Sequence, residues 1–378
     1  MEYFFIFGKT PAISKAELAS VLAKAAIKTE LVSEKNDTLI LSSQKKIDRP
    51  LFESLGGCVK FGEIIDREKK LEPAKLAVLI EDLSSKNKMV FGLSDYTGKY
   101  LKLYKLGIEI KKLIKENRPC RFVRAVGNAL SSVSVAKNKL IEDGVELCVF
   151  FDGTDFLLGR SAAVQDFERW NRLDFGRPEF DAKIGMLPPK VAQMAVNLLP
   201  VKPESIWDPF CGFGTILQQA ALSGVKKIIG SDINSETLKK CEKNIDWLKL
   251  KFNISSQIII ERLDASIATK KDLPFIPDAV ITEPFLGKPL YGKEKESEIL
   301  LMIKELKNLY LKAFDSLNNI LAPGAFIVFI FPKIKTKERI FNVNISAELK
   351  NSFDRLNTWE YFRPGQHIER VITLWRKK

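Results

Sequence analysis

The sequence predicts an α/β protein built in two styles, and three observations carry that expectation. Between residues 2 and 165, short strands alternate with helices and turn clusters, as in small α/β units. From about residue 186, near-continuous apolar strands alternate with longer helices, which implies a mostly parallel sheet covered on both faces. The end of the chain, FDRLNTWEYFRPGQHIERVITLWRKK, reads as two strands joined around Pro364-Gly365, an antiparallel edge on that sheet.

Taken in order, EYFFIF (2–7) is a strand. SKAELASVLAKA follows as a helix, with Ser14 as N-cap and Glu17 three residues later in capping-box spacing. DTLILSS is a strand, RPLFESLGG a short helix ending in Gly, and VKFGEII a strand, completing a first unit over 1–67. A second unit spans 68–165. KMVFGLSDY is its first strand, and LKLYKLGIEIKKLIKEN is a helix with a basic face. CRFVRAV is a strand, SSVSVAKNKLIEDG a helix that Gly144 can close, and VELCVFFDG pairs with DFLLGRSAAVQ around Gly153. The stretch DFERWNRLDFGRPEFDAKIGMLPPK then turns polar, aromatic and rich in Pro and Gly, so 166–185 reads as a linker.

The last expected domain covers 186–378. PKVAQMAVNLL is a helix, SIWDPF a strand, GTILQQAALSG a helix and KKIIGSDI a strand. SETLKKCEKNIDWLK is a helix, QIIIERLDA and PDAVITEP are strands, EILLMIKELKNLYLKAFDSLNNIL is a long helix and GAFIVFIFP a strand.

Composition narrows the function classes. The 378 residues carry a net charge of +13, which favours a polyanionic partner, nucleic acid first. The five cysteines are scattered and never in CxxC spacing, so neither a disulfide framework nor a zinc site is indicated. With one histidine, His367, no His-based metal site is expected. No stretch approaches the length of a membrane span and the N-terminus has no signal-peptide pattern; a cytoplasmic protein with reduced thiols is the expectation.

The chemistry concentrates on successive strand tips. In a doubly wound sheet, ligands sit at the carboxyl ends of the strands. Asp208 ends the first strand of the last domain, and Gly212 and Gly214 lie in the turn that follows, where a bare backbone lets a ligand approach. Asp232 ends the second strand, suited to the two hydroxyls of a ribose, and Asp264 ends the third, suited to an adenine amine. The neighbours Phe210, Ile233 and Ala265 complete this candidate cofactor set. The run GFGTIL has Leu217 where a dinucleotide fingerprint needs its third glycine. Asp208 would repel a pyrophosphate but attract an amine, which favours S-adenosylmethionine over a dinucleotide.

The series DPFCGFGTIL, GSDI, RLDA and TEPF resembles the class I, Rossmann-like methyltransferases that act on nucleic-acid amines. FVRAVGNALSSVSVAKNKLIEDGVELCVFFDGTDFLLGRS resembles a THUMP domain, and the stretch from QDFERW to NLL resembles the joining segment of the THUMP-containing tRNA guanine-N2-methyltransferases. That resemblance spans nearly the whole chain. It implies an N-terminal ferredoxin-like unit, a THUMP RNA-binding domain and a mostly parallel seven-stranded methyltransferase sheet. It also implies methylation of the exocyclic N2 of a guanosine at tRNA position 10, with the THUMP domain on the acceptor end. The partners implied are tRNA and, as in some relatives, a small activator subunit. Met186 and Leu187, within the segment Lys183 to Lys190, would flank the methionine end of the cofactor.

The loop after the fourth strand departs from the family. Asp (or Asn)-Pro-Pro-Tyr/Phe is usual; here Glu283, Pro284 and Phe285 stand in its place, followed by Leu286. An acidic side chain and a backbone carbonyl would accept the two N–H bonds of a base amine while an aromatic stacks on the base. Glu283 offers that carboxylate one methylene longer, and Phe285 takes the stacking role from one position earlier. Alternatives are methylation of another base amine in tRNA or rRNA, or an RNA-binding protein that retains the fold without catalysis. A cytosine-C5 mechanism would need a thiolate, and Cys211 lies in the cofactor turn, poorly placed for it. RNA contacts are expected from Arg121, Arg124, Lys137 and Lys139, and from Arg169, Arg172 and Arg177 around Trp170.

Overall fold

The apolar run at the start of the chain forms β1 (Glu2–Phe7), the inner strand on which the first sheet is built. The computed structural model describes residues 1–84, 86–99, 101–181, 185–336, 339–363 and 365–378; Lys183 and Pro364, named above, fall outside these. Two units divide the chain. The first is Met1–Pro11, Ala25–Ser54 and Cys58–Glu168; the second is Ala12–Lys24, Leu55–Gly57 and Arg169–Lys378.

In chain order, the first sheet uses β1, β2 (Thr29–Lys35), β3 (Thr38–Ser43), β4 (Cys58–Glu68), β5 (Met89–Asp95), β6 (Cys120–Val123), β7 (Val145–Phe151) and β8 (Phe156–Val164). Their spatial order is β2-β3-β1-β4-β8-β7-β5-β6, parallel only at β5·β6 and β5·β7. The segments 1–67 and 68–165 therefore share one sheet, joined where β4 pairs antiparallel with β8. Between the strands come α1 (Pro11–Lys24), α2 (Arg49–Glu53), α3 (Pro73–Asp82), α4 (Leu103–Asn117) and α5 (Ser132–Lys137). Polar side chains cross the interior of this sheet. Lys60 pairs with Glu146, which also accepts from Ser94 and Ser161, and all four residues are buried. Lys60 Nζ donates onward to the carbonyl of Leu130 at 3.1 Å.

Local readings needed three corrections here. Ser14 lies inside α1, buried, and is not its N-cap. Glu17 makes no capping box; its carboxylate accepts from Gly56 N and Gly57 N at 2.8 Å each and from Asn197 Nδ2 at 2.7 Å. The helix expected over 131–144 stops at Lys137, because Lys139 turns left-handed at φ 51°.

The second unit continues with α6 (Phe167–Phe175), α7 (Pro189–Asn197), β9 (Ser205–Asp208), α8 (Thr215–Leu222), β10 (Lys227–Asp232), α9 (Ser235–Phe252), β11 (Gln257–Arg262) and β12 (Ala279–Thr282). It ends with α10 (Glu296–Ile320), β13 (Phe326–Lys335), β14 (Ile340–Asn342), α11 (Ser346–Leu349), β15 (Phe353–Tyr361) and β16 (Ile368–Lys377). The sheet runs β11-β10-β9-β12-β13-β16-β15, with β14 attached to β13. Its first five strands are parallel and the last two antiparallel, the expected mostly parallel sheet with a terminal hairpin. One face packs on α7, α8 and α9 through residues such as Val191, Leu217 and Ile245; the other packs on α10 through Leu306, Tyr310 and Phe314. The expected linker is not irregular throughout, since α6 occupies residues 167–175 and buries Trp170 and Leu173. No helix among the described residues is long and apolar enough to cross a membrane.

Candidate active site

Strand order reverses between β9 and β12, so the tips of β9, β10 and β12 face a common crevice. Asp208, at the end of β9, is 1% exposed. Its Oδ1 accepts from Thr282 Oγ1 at 2.7 Å and from Phe210 N at 3.2 Å. Burial, only partly offset by these bonds, pushes its carboxyl up to about 8. A carboxylate so placed is held in readiness for a cation, whose arrival would restore its charge.

The turn after Asp208 is open. Gly214 caps α8 in a left-handed conformation at φ 80°, and a Cβ there would stand 2.7 Å from Cys241 Sγ. Gly212 has φ 52°, and a Cβ on it would meet nothing within 4 Å, so this backbone fronts free space. Gly212 N donates to Asp232 Oδ2 at 3.2 Å, tying the first strand tip to the second. Asp232 Oδ1 accepts from Asn234 N at 2.9 Å, and the next side chain, Ile233, is exposed. At the third tip, Asp264 accepts from Ser266 N and Oγ, while Ala265 is buried. Cys211 is buried, and its bonding to Cys241 together with burial pushes the thiol well up, so it supplies no thiolate.

At the fourth tip, Glu283 does not stand alone. Arg370, from β16, grips it with two donors: Nε to Oε2 at 2.5 Å and Nη2 to Oε1 at 3.1 Å. The same Nη2 donates to the carbonyl of Gly185 at 2.8 Å. Phe285 is exposed, and its carbonyl accepts from Tyr310 Oη at 2.6 Å. Burial, then the charge of Glu283, push the Tyr310 hydroxyl up, so it remains a donor.

The comparisons point to the methyltransferases. Residues 179–356 match the RMKL-like methyltransferase domain model. The matched residues lie within the second unit, and the curated proteins that this chain resembles are tRNA (guanine(10)-N2)-dimethyltransferases. The tRNA (guanine(10)-N2)-dimethyltransferase of Methanothermobacter thermautotrophicus is 29% identical over 52% of this chain and 53% of its own. That of Methanocaldococcus jannaschii is 26% identical over 63% of this chain and 62% of its own. The chain thus matches between half and two thirds of the length of these curated relatives. Among solved structures, TrmN from Thermus thermophilus aligns over the full length of both chains with a TM-score of 0.59 at 14% identity. SMU.472, solved with SAH, aligns over 100% of this chain and 98% of its own at 0.51 and 9% identity.

The residues at the strand tips fit S-adenosylmethionine, the cofactor that the sequence series implies. A buried carboxyl group suits an amine or sulfonium, the backbone at Gly212 fronts open space, and the Asp232 carboxylate beside it suits the hydroxyls of a ribose. Asp208, Phe210, Gly212 and Gly214 lie at and just after the end of β9, Asp232 and Ile233 at the end of β10, Asp264 and Ala265 two and three residues beyond β11, and Glu283, Pro284 and Phe285 directly after β12. Met186 is half-buried, and its sulfur accepts from Asp181 N; Leu187 is part of the hydrophobic core beside α7.

Sequence reasoning missed Thr282, Tyr310 and Arg370. An arginine inside the apolar run of β16 was a readable signal, since a buried guanidinium needs an acidic partner. Which acid it met was not readable. Of the expected RNA contacts, Arg121, Arg124, Lys137 and Lys139 are exposed on the first unit, with Arg124 stacked 4.6 Å over the ring of Tyr104. In the second unit Arg172 is exposed and Arg169 half-exposed, 5.6 Å from the Trp170 ring. Arg177 is a correction. Its side chain is fully buried, with Nη1 donating to Thr215 Oγ1 at 2.8 Å at the start of α8, so it cannot meet a phosphate at the surface. Trp170 is also buried, as core rather than as a stacking platform.

Proposed function

We propose that this protein transfers a methyl group from S-adenosylmethionine to the exocyclic N2 of a guanosine in tRNA, at the position-10 type of site. The observation that carries this reading is the β12 tip, where a held carboxylate, Glu283, stands beside an exposed aromatic, Phe285, next to the Asp208 turn. When bound, the cofactor supplies an electrophilic methyl group. Glu283 accepts one N–H of the base amine through a lone pair that Arg370 leaves free. A backbone carbonyl of the Glu283–Pro284 stretch accepts the other. Phe285 stacks on the base, which must be turned out of folded RNA to arrive there. The N2 proton then leaves to the held carboxylate or to water, because the product amine is neutral.

The names of the relatives support a guanosine N2 target and a dimethylated product. The basic residues of the first unit support the docking of tRNA by the THUMP-like part. There Lys102, Tyr104, Phe122, Arg124 and Asn128 line a cavity of about 180 Å³, sized for part of a nucleotide. This reading places the protein in the cytoplasm with its substrate. The test is incubation with tRNA transcripts and labelled S-adenosylmethionine, followed by nucleoside mass spectrometry. Methylguanosine or dimethylguanosine modified at N2 is expected; label found only in methyladenosine would overturn the guanine assignment.

A further inference from the structure

We propose that Arg370 is the positioning residue of this active site: it aims the Glu283 carboxylate and, through Gly185, fixes the segment that leads into α7. The inference rests on Glu283 being the acceptor for the base amine. It starts from a problem of length. Where an aspartate would be held close to its own strand, glutamate has one more rotatable bond and would sample several positions at a loop tip. Precise aim then needs an external support.

The structure supplies one. The guanidinium of Arg370 meets both carboxylate oxygens, Nε to Oε2 and Nη2 to Oε1, in the planar two-point grip that an ammonium cannot reproduce. Arg370 is 5% exposed, whereas Glu283 is only partly buried. The arginine is therefore the fixed member and the glutamate the member that faces the crevice. Each carboxylate oxygen has two lone pairs and the grip uses one of each, which leaves acceptor sites for an incoming N–H. The shared Nη2 contact to Gly185 O extends the support to the turn before Met186 and Leu187. One side chain from the terminal hairpin thus links β12 and the entry to α7 within the second unit.

The charge of Arg370 matters as much as its shape. Glu283 faces Arg370 from β16, Asp208 from β9 and Tyr310 from α10; Arg370 also faces Tyr361 from β15. Arg370 is the one cation among these groups, and it offsets the mutual repulsion of Glu283 and Asp208.

The experiment compares wild type with R370M, R370K and E283A, using kcat and KM for methyl transfer to tRNA, calorimetric binding of S-adenosylmethionine, and hydrogen exchange of the peptides covering 185–187 and 283–291. R370M should lower kcat by at least about 30-fold while cofactor affinity stays within about twofold. The KM for tRNA should stay within about threefold, because the grip aims the acceptor and does not hold the RNA backbone. R370K should regain only part of kcat, because an ammonium cannot reproduce the two-point grip. Exchange in both peptides should quicken in R370M. Exchange in both peptides of R370M as slow as in wild type would overturn the proposal even where activity falls. If R370M loosens the peptides but E283A keeps full activity, the acceptor role of Glu283 fails while the support of the loop by Arg370 stands. The exchange readout decides the support in the same way should wild type leave guanosine unmodified.

Discussion

Asp208 shows how one residue is compromised between stability and binding. Its carboxyl is raised to about 8 from an ordinary 3.8 because it is buried. The folded chain therefore prefers the protonated form, and the stability this gives is full below pH 3.8 and is lost as pH rises through 8. D208N keeps an oxygen for Thr282 and Phe210 but cannot ionise. It should flatten the fall in melting temperature between pH 5 and 8.5, read by thermal melts. The same variant should weaken S-adenosylmethionine binding at least about tenfold, the scale of a lost charge-assisted contact; unchanged affinity would remove Asp208 from the amine site. Arg177 makes a complementary point. Sequence placed it among surface cations, but its guanidinium is buried, and burial lowers its affinity for a proton. R177M should leave the salt dependence of tRNA binding unchanged. R172A should reduce the slope of log K against log salt, by about one if it meets one phosphate.

At the scale of elements, α1 is the instructive case. By sequence it belongs to the N-terminal unit, yet Ala12–Lys24 groups with the second unit. Lys24 Nζ donates to the carbonyls of Asn197 and Leu199, and Ser20 Oγ donates to the same two, so α1 satisfies the free carbonyls at the end of α7. Glu17 does the same for the amides of Gly56 and Gly57. E17A would strand those two donors and Asn197 Nδ2 in the interior. It should cost about 3 kcal/mol or more in urea unfolding, at 1–3 kcal/mol for each unsatisfied group; a loss under about 1 kcal/mol would mean that water or a repacked side chain takes its place. The capping-box spacing at Ser14 and Glu17 was a plausible local pattern that a tertiary contact overrode. The opposite holds for β9 to β13, whose order and direction follow from apolar runs and crossover helices that have few other ways to pack.

For the whole molecule, charge is the property that the sequence states most directly. A net charge of +13 on 378 residues, with exposed Arg121, Arg124, Lys137 and Lys139 on the first unit, predicts electrostatic binding to RNA. If the tRNA contact spans six or more phosphates, affinity should fall on the order of a thousandfold between 50 and 200 mM salt, measured by filter binding. A flat response would show that the cations are solvated surface and nothing more.

The sequence by itself determined the α/β class, the parallel sheet with its terminal hairpin, and the carboxylates at three strand tips. Each of these is written in local periodicity, or in a residue type at the end of a strand. The tertiary structure decided which partners those residues met. It joined residues 1–67 and 68–165 in one sheet, drew α1 onto α7, buried Arg177, and brought Arg370 from the terminal hairpin to Glu283. The physical reason is common to all four. A buried polar or charged group must find its complement, and that complement stood far away in sequence, at separations of 38 residues for Arg177 and Thr215, 86 for Lys60 and Glu146, 87 for Arg370 and Glu283, and 180 for Glu17 and Asn197.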